Sequence, residues 1–438
     1  MNIIAKIAAP LLFIFISFSV QGQDTTSLSL EGAIDKALEN NYGIITTRKG
    51  QKISELNNTW GNTGALPTVR FVGRGSNSRN FNDTDNFTSS QISGTVEMNW
   101  TIFRGFSARI QKERLEELEK LSEGNLAVVV ENTIYGVIMS YYNILLSQEQ
   151  RDIARTNMVL SRDRYKRAQH SQEIGTMVTY EVLQAKNAYL RDSSDFLSAR
   201  SSYRNAIREL NYLMAEPLDQ VYRFTSGFAP DTADFAYASL VDKMLENNKT
   251  LRNQFMNLEL ARLDVRSAKS AYYPTLSLNA SSGYSDSETD YDSMNQLDQS
   301  RTGGDASVSL SVSYTIYEGN NRKRALQAAK IEREISQVET REMKQDLKNQ
   351  LAQEYELYRV RKQLLQVADE NLNAAELNLE LSREKFENGT INSFNFRDVQ
   401  QIYQDAAYNY QRAVFNVIQS YHTLMRLTGG IIEEYENQ

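Results

Sequence analysis

Residues 91–130 read QISGTVEMNW TIFRGFSARI QKERLEELEK LSEGNLAVVV and change their hydrophobic period without a break. Between Ile92 and Phe103 apolar and polar residues alternate, which is typical of a strand with one apolar and one polar face. After Gly105 the apolar residues recur every three or four positions, as in a long amphipathic helix, and no proline interrupts the pattern up to His170. We therefore predict a β-strand that runs directly into a helix of roughly 66 residues, or about 100 Å.

The same transition recurs in the second half of the chain, where Val308–Tyr317 alternates and Gly319 precedes another long helical pattern. The motif DKALENN at 35–41 returns as DKMLENN at 242–248, and Leu66-Pro67-Thr68 returns as Tyr273-Pro274-Thr275, both 207 residues later. Trp100–Phe103 returns as Tyr314–Tyr317, and Gly175-Thr176 as Gly389-Thr390, both 214 residues later. Solenoid repeats are shorter and more numerous. We therefore predict one duplication of a helix–strand–strand–helix–helix unit, with the extra residues of the second copy in the loop 285–305.

The domain organisation follows from this repeat. Residues 1–22 are typical of a secretory signal peptide, with Lys6, an apolar run Ile7–Phe18 and small residues near Gly22. A short N-terminal membrane anchor is the alternative, but the apolar run is too short to span a bilayer. We assign 23–215 to the first repeat, 216–238 to a linker in an equatorial region, 239–429 to the second repeat and 430–438 to a C-terminal tail.

Composition excludes several classes of protein. The chain has no cysteine, which excludes disulfides and thiolate metal sites. Its formal net charge is −7, and removal of Lys6 with the signal peptide would make the charge one unit more negative. Such a negative chain argues against nucleic-acid binding by Arg322-Lys323-Arg324. We interpret these three residues as a solvated collar. Nothing after residue 22 offers the ~20 consecutive apolar residues of a membrane helix. A membrane role would therefore have to use β-strands.

Each repeat carries one pair of strands of about ten residues, the length of a tilted membrane-spanning strand. Four strands cannot close a barrel, and an open sheet edge is not tolerated in lipid, whereas three chains would supply 12 strands. We therefore predict an α+β membrane protein in which a long antiparallel α-helical barrel joins a transmembrane β-barrel completed by trimerisation, with an internal two-fold repeat. Aromatic residues at the strand ends would form the interfacial girdle: Trp100, Phe103, Tyr314 and Tyr317. The alternative is an ordinary edge of a soluble β-sandwich.

Catalytic chemistry is poorly supported. The two histidines, His170 and His422, are far apart in the sequence, and we interpret each as a surface residue of a helix. No phosphate-binding loop, metal-spaced cluster or nucleophile–base set is present. The acidic residues of 285–305 lack the spacing of an EF-hand, so we interpret them as part of a solvated extracellular loop: Asp286, Glu288, Asp290 and Asp292. We expect no enzymatic activity, no cofactor and no metal.

The mature chain resembles the TolC-like outer-membrane efflux proteins along its whole length. The features that carry the resemblance are the opening motif LEGAIDKALENN at 30–41, Leu66-Pro67 before the strand, the two strand–helix junctions, the glycine turns and the duplication. The resemblance implies a homotrimer in the outer membrane with a periplasmic helical extension. It also implies an exit duct of a tripartite efflux or type I secretion system, whose helical tips dock a periplasmic adaptor and, through it, an inner-membrane pump. The tips are Gly175, Thr176, Gly389 and Thr390.

The resemblance also places the pore constriction. In the family, carboxylates six and nine residues after the second tip glycine form rings around the periplasmic mouth of the pore. The corresponding residues of this chain are Asn395 and Asp398. Glu181 matches a carboxylate of the first repeat that latches the closed state. Its family partners, a Tyr and an Arg, are Phe386 and Ile391 in this chain, so apolar contact would have to replace the latch.

Two hypotheses follow for function. The first is the outer-membrane exit duct, and the second is a secreted coiled-coil scaffold without a pore. The duct needs all four strands to carry an apolar outer face, which Leu276, Leu278 and Ala280 satisfy against Ser277 and Asn279. The first strand pair is less regular, because only Val69 and Phe71 oppose Arg70 and Arg74.

Overall fold

The computed structural model describes residues 26–81, 86–292 and 297–432. The predicted signal peptide and the last six residues of the predicted tail lie outside the described residues. In chain order the α-helices and strands of the described part are β1 Thr26–Leu28, α1 Leu30–Asn40, α2 Tyr42–Asn57, β2 Thr68–Asn80, β3 Phe87–Arg104, α3 Ser107–Glu173, α4 Thr179–Leu213, β4 Tyr222–Phe224, α5 Tyr237–Asn247, α6 Lys249–Ser270, β5 Thr275–Tyr291, β6 Gln299–Ser313, α7 Asn321–Glu387 and α8 Ser393–Leu427.

The long helices have matching lengths in the two halves of the chain. Helices α3 and α7 each contain 67 residues, about 100 Å at ~1.5 Å per residue, and α4 and α8 each contain 35. The prediction that a strand runs directly into such a helix is confirmed at the first junction, because only Gly105 and Phe106 separate β3 from α3, whereas residues 314–320 separate β6 from α7 at the second.

A pair of left-handed residues turns the chain at both junctions. Gly105 and Phe106 have φ of 58° and 65° before α3, and Gly319 and Asn320 have φ of 65° and 62° before α7. At Gly105 a side chain would also collide with the end of α6, since a Cβ there would lie 2.2 Å from the carbonyl oxygen of Ser270. Glycine therefore satisfies both the positive φ and the close approach at this position.

The larger sheet is antiparallel with strand order β2-β3-β5-β6. Its strands contain 13, 18, 17 and 15 residues, so the predicted length of about ten was wrong. Within the segment 285–305, predicted as a loop, residues 285–291 and 299–305 are strand. Backbone groups make the ladder hydrogen bonds, so a polar strand persists wherever an in-register partner lies beside it. In the other direction, β6 ends at Ser313, four residues before the predicted end at Tyr317.

The two larger clusters of the core lie between the sheet and the helical tips, and a small third cluster of Ala168, Val182 and Ala185 lies between α3 and α4 near the first tip. The first joins β1, α1, α3, α4 and β4, and the second joins α5, α6, α7 and α8. The segment 216–238 contributes β4, which pairs in parallel with β1. The hydroxyl of Tyr141 holds this segment by accepting from the backbone N–H groups of Thr225 and Ser226 at 3.2 and 3.1 Å and donating to Leu28 O at 3.0 Å.

No helix within residues 26–81, 86–292 and 297–432 combines the length and apolarity needed to cross a bilayer. Among the same residues, no group of three or more His, Asp or Glu side chains is placed to hold a metal ion.

Candidate functional site

The register of the four-stranded sheet separates its side chains by polarity. Val69 lies opposite Met98, Phe71 opposite Val96 and Leu278 opposite both Trp100 and Leu310. Because directly paired residues of an antiparallel sheet share a face, these side chains form one apolar face across all four strands. The first strand pair, irregular when read alone, thus continues the apolar face of the second.

The opposite face is polar over the same rows. It carries Arg70 and Glu97, which form an ion pair at 2.8 Å, and rows of Ser and Asn side chains: Asn99, Ser277, Asn279, Ser281, Ser307, Ser309 and Ser311. A four-stranded sheet with one apolar and one hydroxyl-rich face can separate a lipid phase from an aqueous one.

The apolar face has a limited height. On β5 it runs from Leu276 to Tyr284, about 27 Å along the strand, and on the same face the next alternate residues are Asp286, Glu288 and Asp290. At a tilt of 35–45° this corresponds to roughly 20 Å, close to the ~25 Å apolar band of outer-membrane barrels. The acidic residues therefore extend the strand beyond the apolar band rather than forming a loop. Asp292 follows the strand and pairs with Arg79 at 2.8 Å.

The predicted girdle aromatics lie at the other end of the sheet. Trp100 is within β3 and its Nε1 donates to Ala65 O at 2.8 Å. A β-bulge at Ile102 places Phe103 opposite Leu276, on the apolar face, whereas strict alternation would place it on the polar face. Tyr314 and Tyr317 follow the end of β6 and are exposed.

The two tips are built alike. Gly175 and Gly389 have φ of 76° and 71°, as the predicted helix reversal requires. Thr176 N donates to Ser171 O at 2.9 Å and Thr390 N to Lys385 O at 2.8 Å, which are the six-to-one bonds of a Schellman cap. Both glycines are exposed, with open space where a side chain would lie. The four predicted tip residues therefore lie at two solvent-facing helix reversals.

Four of the predicted constriction residues lie on the first turns of α4 and α8 and at the end of α7, and Ile391 lies in the turn between α7 and α8. Asn395 and Asp398 are exposed, while Glu181, Phe386 and Ile391 are half-buried. Phe386 stacks on Phe396, with ring centroids 4.8 Å apart and an interplanar angle of 3°. The stacking partner of Phe386 is therefore Phe396, which was not among the predicted constriction residues.

A buried ionic cluster above the tips was not predicted from the sequence. Arg397 on α8 donates to both carboxylate oxygens of Asp192 on α4, at 2.8 and 2.9 Å, and Asp192 is only 3% exposed. Arg164 on α3 donates to Gln400 Oε1 at 3.4 Å. Burial lowers the pKa of Arg164 to about 10, and the neighbouring Arg397 acts in the same direction.

A signal for this cluster was present in the sequence. Asn157, Ser161 and Arg164 follow the three-and-four spacing of the seam between Ala154 and Ala168, and Asp192 follows that of Val182 and Ala185. Polar residues at seam positions require buried partners. His422, which we interpreted as a surface residue of a helix, is half-buried: its ring stacks on that of Tyr142 at 6.1 Å, and burial lowers its pKa to about 4.

Comparison with known proteins gives the family of a chain that combines this two-faced sheet, the long helices and the glycine tips. A model of the family described as outer membrane efflux protein matches residues 33–216 and 240–430. The chain belongs to this family.

This efflux protein is similar to several characterised relatives. It is 22% identical over 329 residues to the outer membrane efflux protein BepC of Brucella suis, covering 73% of this chain and 69% of BepC. It is 24% identical over 229 residues to the alkaline protease secretion protein AprF of Pseudomonas aeruginosa, covering 50% of this chain and 45% of AprF. The outer membrane channel CmeC of Campylobacter jejuni superposes with a TM-score of 0.76 at 14% identity, covering 93% of this chain and 88% of CmeC.

The efflux protein is therefore an outer-membrane exit duct with long periplasmic helices. The resemblance to TolC-like proteins is confirmed, and the hypothesis of a secreted scaffold without a pore is wrong. The family is defined by efflux, which is transport rather than catalysis.

Proposed function

We propose that three copies of this chain form one continuous duct, in which the four-stranded sheets close a 12-stranded barrel and the long helices enclose a periplasmic tunnel. The observation that carries the proposal is the sheet. One face is apolar across four strands, and within the described residues β2 and β6 each have a partner on one side only. Because an unpaired edge is not tolerated in lipid, β2 of one copy would pair with β6 of the next.

The helices support the same assembly. α7 leaves Ile331, Ile335 and Val338 exposed at helical spacing. A helix with such a stripe packs it against another helix. In the proposed trimer the second copy supplies that helix, and each chain would be divided as expected into signal peptide, two duplicated repeats, the linker 216–238 and a tail.

We propose that Asp398 and Asn395 form the narrowest part of the mouth, with Glu181, Phe386 and Ile391 behind them. Asp398 is exposed on the first turns of α8, and its carboxylate makes no hydrogen bond or ion pair within the described residues. Three such carboxylates around one axis would concentrate negative potential and favour cations. The exposed turns at Gly175-Thr176 and Gly389-Thr390 would dock a periplasmic adaptor, which connects the duct to an inner-membrane pump for efflux or type I secretion.

The test is conductance of the purified protein in planar bilayers, with unboiled and boiled samples compared for trimer migration. Wild-type protein should migrate as a heat-modifiable trimer and conduct cations in preference to anions. Asp398→Asn should weaken that preference and the block by multivalent cations. Asp219→Asn removes the same charge from the exposed linker and serves as the matched control. A protein that does not conduct would refute the duct, and unchanged selectivity in Asp398→Asn would refute the proposed constriction.

A further inference from the structure

The first strand–helix junction carries a compact aromatic cluster, formed by Phe103, Phe106 and Tyr273. The ring centroids of Phe103 and Phe106 are 5.2 Å apart, and those of Phe106 and Tyr273 are 6.0 Å apart, both edge to face. The side chain of Phe106 is exposed. Its backbone φ is 65°, a conformation that bulky residues rarely adopt. Through Phe103, opposite Leu276, the aromatic cluster is continuous with the apolar face of the sheet.

Directly below the aromatic cluster lies a group of charges with an excess of cations. Arg109 and Glu113 lie in the first two turns of α3, three and seven residues after Phe106, and their i,i+4 spacing places them on one face of the helix. Arg109 Nε lies 3.5 Å from Glu113 Oε1. Arg266 on α6 donates to both carboxylate oxygens of Glu113. Its Nη1 donates to Oε2, and its Nη2 donates to Oε1 over a distance of 3.3 Å.

Two guanidinium groups thus share one carboxylate. The side chains of Arg109 and Arg266 are 78% and 48% exposed. These three side chains therefore carry a net charge of +1 and present several N–H donors to solvent, and Glu259, itself paired with Arg262, is the next carboxylate near Arg266. By contrast, Arg114 on α3 pairs with Asp264 on α6 one to one, at 3.1 Å.

The order along this surface is apolar sheet face, aromatic rings, then guanidinium groups. Aromatic side chains prefer the boundary between hydrocarbon and water, and guanidinium groups bind phosphate oxygens through paired N–H donors. The geometry points to a binding site for the phosphate-bearing head group of an anionic phospholipid at Arg109 and Arg266, on the periplasmic side of the membrane. This inference rests on the proposed contact of the apolar face with lipid.

The second junction has a related arrangement. Lys323 stands 214 residues after Arg109, the offset that relates the two tips, and it is exposed. The position that corresponds to Glu113 is Gln327, which carries no charge. Both copies of the junction therefore present a net positive charge in the first turns of the long helix.

The experiment uses the full-length protein reconstituted into vesicles of phosphatidylcholine with or without phosphatidylglycerol. After extraction in mild detergent, retained lipids are counted by native mass spectrometry. Wild-type protein should retain phosphatidylglycerol in excess of its share in the vesicle. Arg109→Gln and Arg266→Gln should each lower the enrichment about fivefold, the ratio that corresponds to ~1 kcal/mol per interfacial cation. Arg114→Gln is the matched control and should leave the enrichment unchanged.

Glu113→Gln distinguishes lipid binding from a structural role. If the charges bind phosphate, removing the carboxylate should raise the enrichment. If they only hold α3 to α6, Glu113→Gln should lower it as the arginine variants do, and the inference is then wrong. Loss of the enrichment in excess inorganic phosphate, at constant ionic strength, would show a site for free anions and would also overturn it. Protein that fails to insert even into pure phosphatidylcholine would instead refute the proposed membrane duct.

Discussion

Asp192→Asn should release helix α8 from the hairpin of α3 and α4. Asp192 is 3% exposed and accepts two hydrogen bonds from Arg397, whose side chain is 16% exposed. The substitution keeps the shape of the side chain but removes its charge. Two arginines, Arg397 and Arg164, then remain in a poorly solvated site without a counter-charge.

The magnitude follows from the burial of the pair. Removing one partner of a buried ion pair costs about 3–5 kcal/mol, mostly because the other charge is left uncompensated. Arg397 keeps some exposure, so we expect the lower end, about 3 kcal/mol. At ~1.4 kcal/mol per factor of ten, this corresponds to more than a hundredfold rise in local opening of α8.

Hydrogen exchange of backbone amides in the purified protein measures this opening. Amides of α8 around Phe396–Gln404 should exchange more than a hundredfold faster in Asp192→Asn, while α1 is unchanged. Arg397→Met in the same background should restore part of the protection, because the unpaired charge is gone. Asp219→Asn breaks the exposed pair with Arg208 and should have an effect below ~1 kcal/mol. Equal effects of the two Asp variants would refute the reasoning.

Three further outcomes are expected. Leu310→Arg should cost about 2–4 kcal/mol and reduce the yield of outer-membrane trimer, whereas Ser309→Arg on the polar face should be tolerated; equal yields would contradict the assigned faces. Burial raises the pKa of Glu131 to about 7. The contribution of Glu131 to the free energy of unfolding therefore falls as the pH rises from about 4.5 through 7, by at most ~3 kcal/mol. Thermal unfolding should therefore show Glu131→Gln stabilised at pH 8 and unchanged at pH 4. Gly389→Val should leave trimers assembled but abolish export, and persistent export would show that the tips are not the docking surface.

Much of the architecture was predictable from local patterns. The change of period at Gly105 places a strand next to a long helix, because alternation and three-and-four spacing arise from the geometry of each element alone. The reversals at Gly175 and Gly389 were predictable for a similar reason, since positive φ is a local demand that glycine meets cheaply. The order of these elements was sufficient for the resemblance to the efflux family.

Other features depend on partners that no local pattern reveals. The strands extend past their apolar residues because β2, β3, β5 and β6 stay in register beyond the apolar band. Phe103 lies on the apolar face only because a bulge at Ile102 shifts its pairing with Leu276. Asp192 and Arg397 meet although 205 residues separate them. The sequence alone determines which face of each helix or strand is apolar, but the packing of distant elements decides which residues meet across those faces, because contact between them depends on the whole arrangement of the chain.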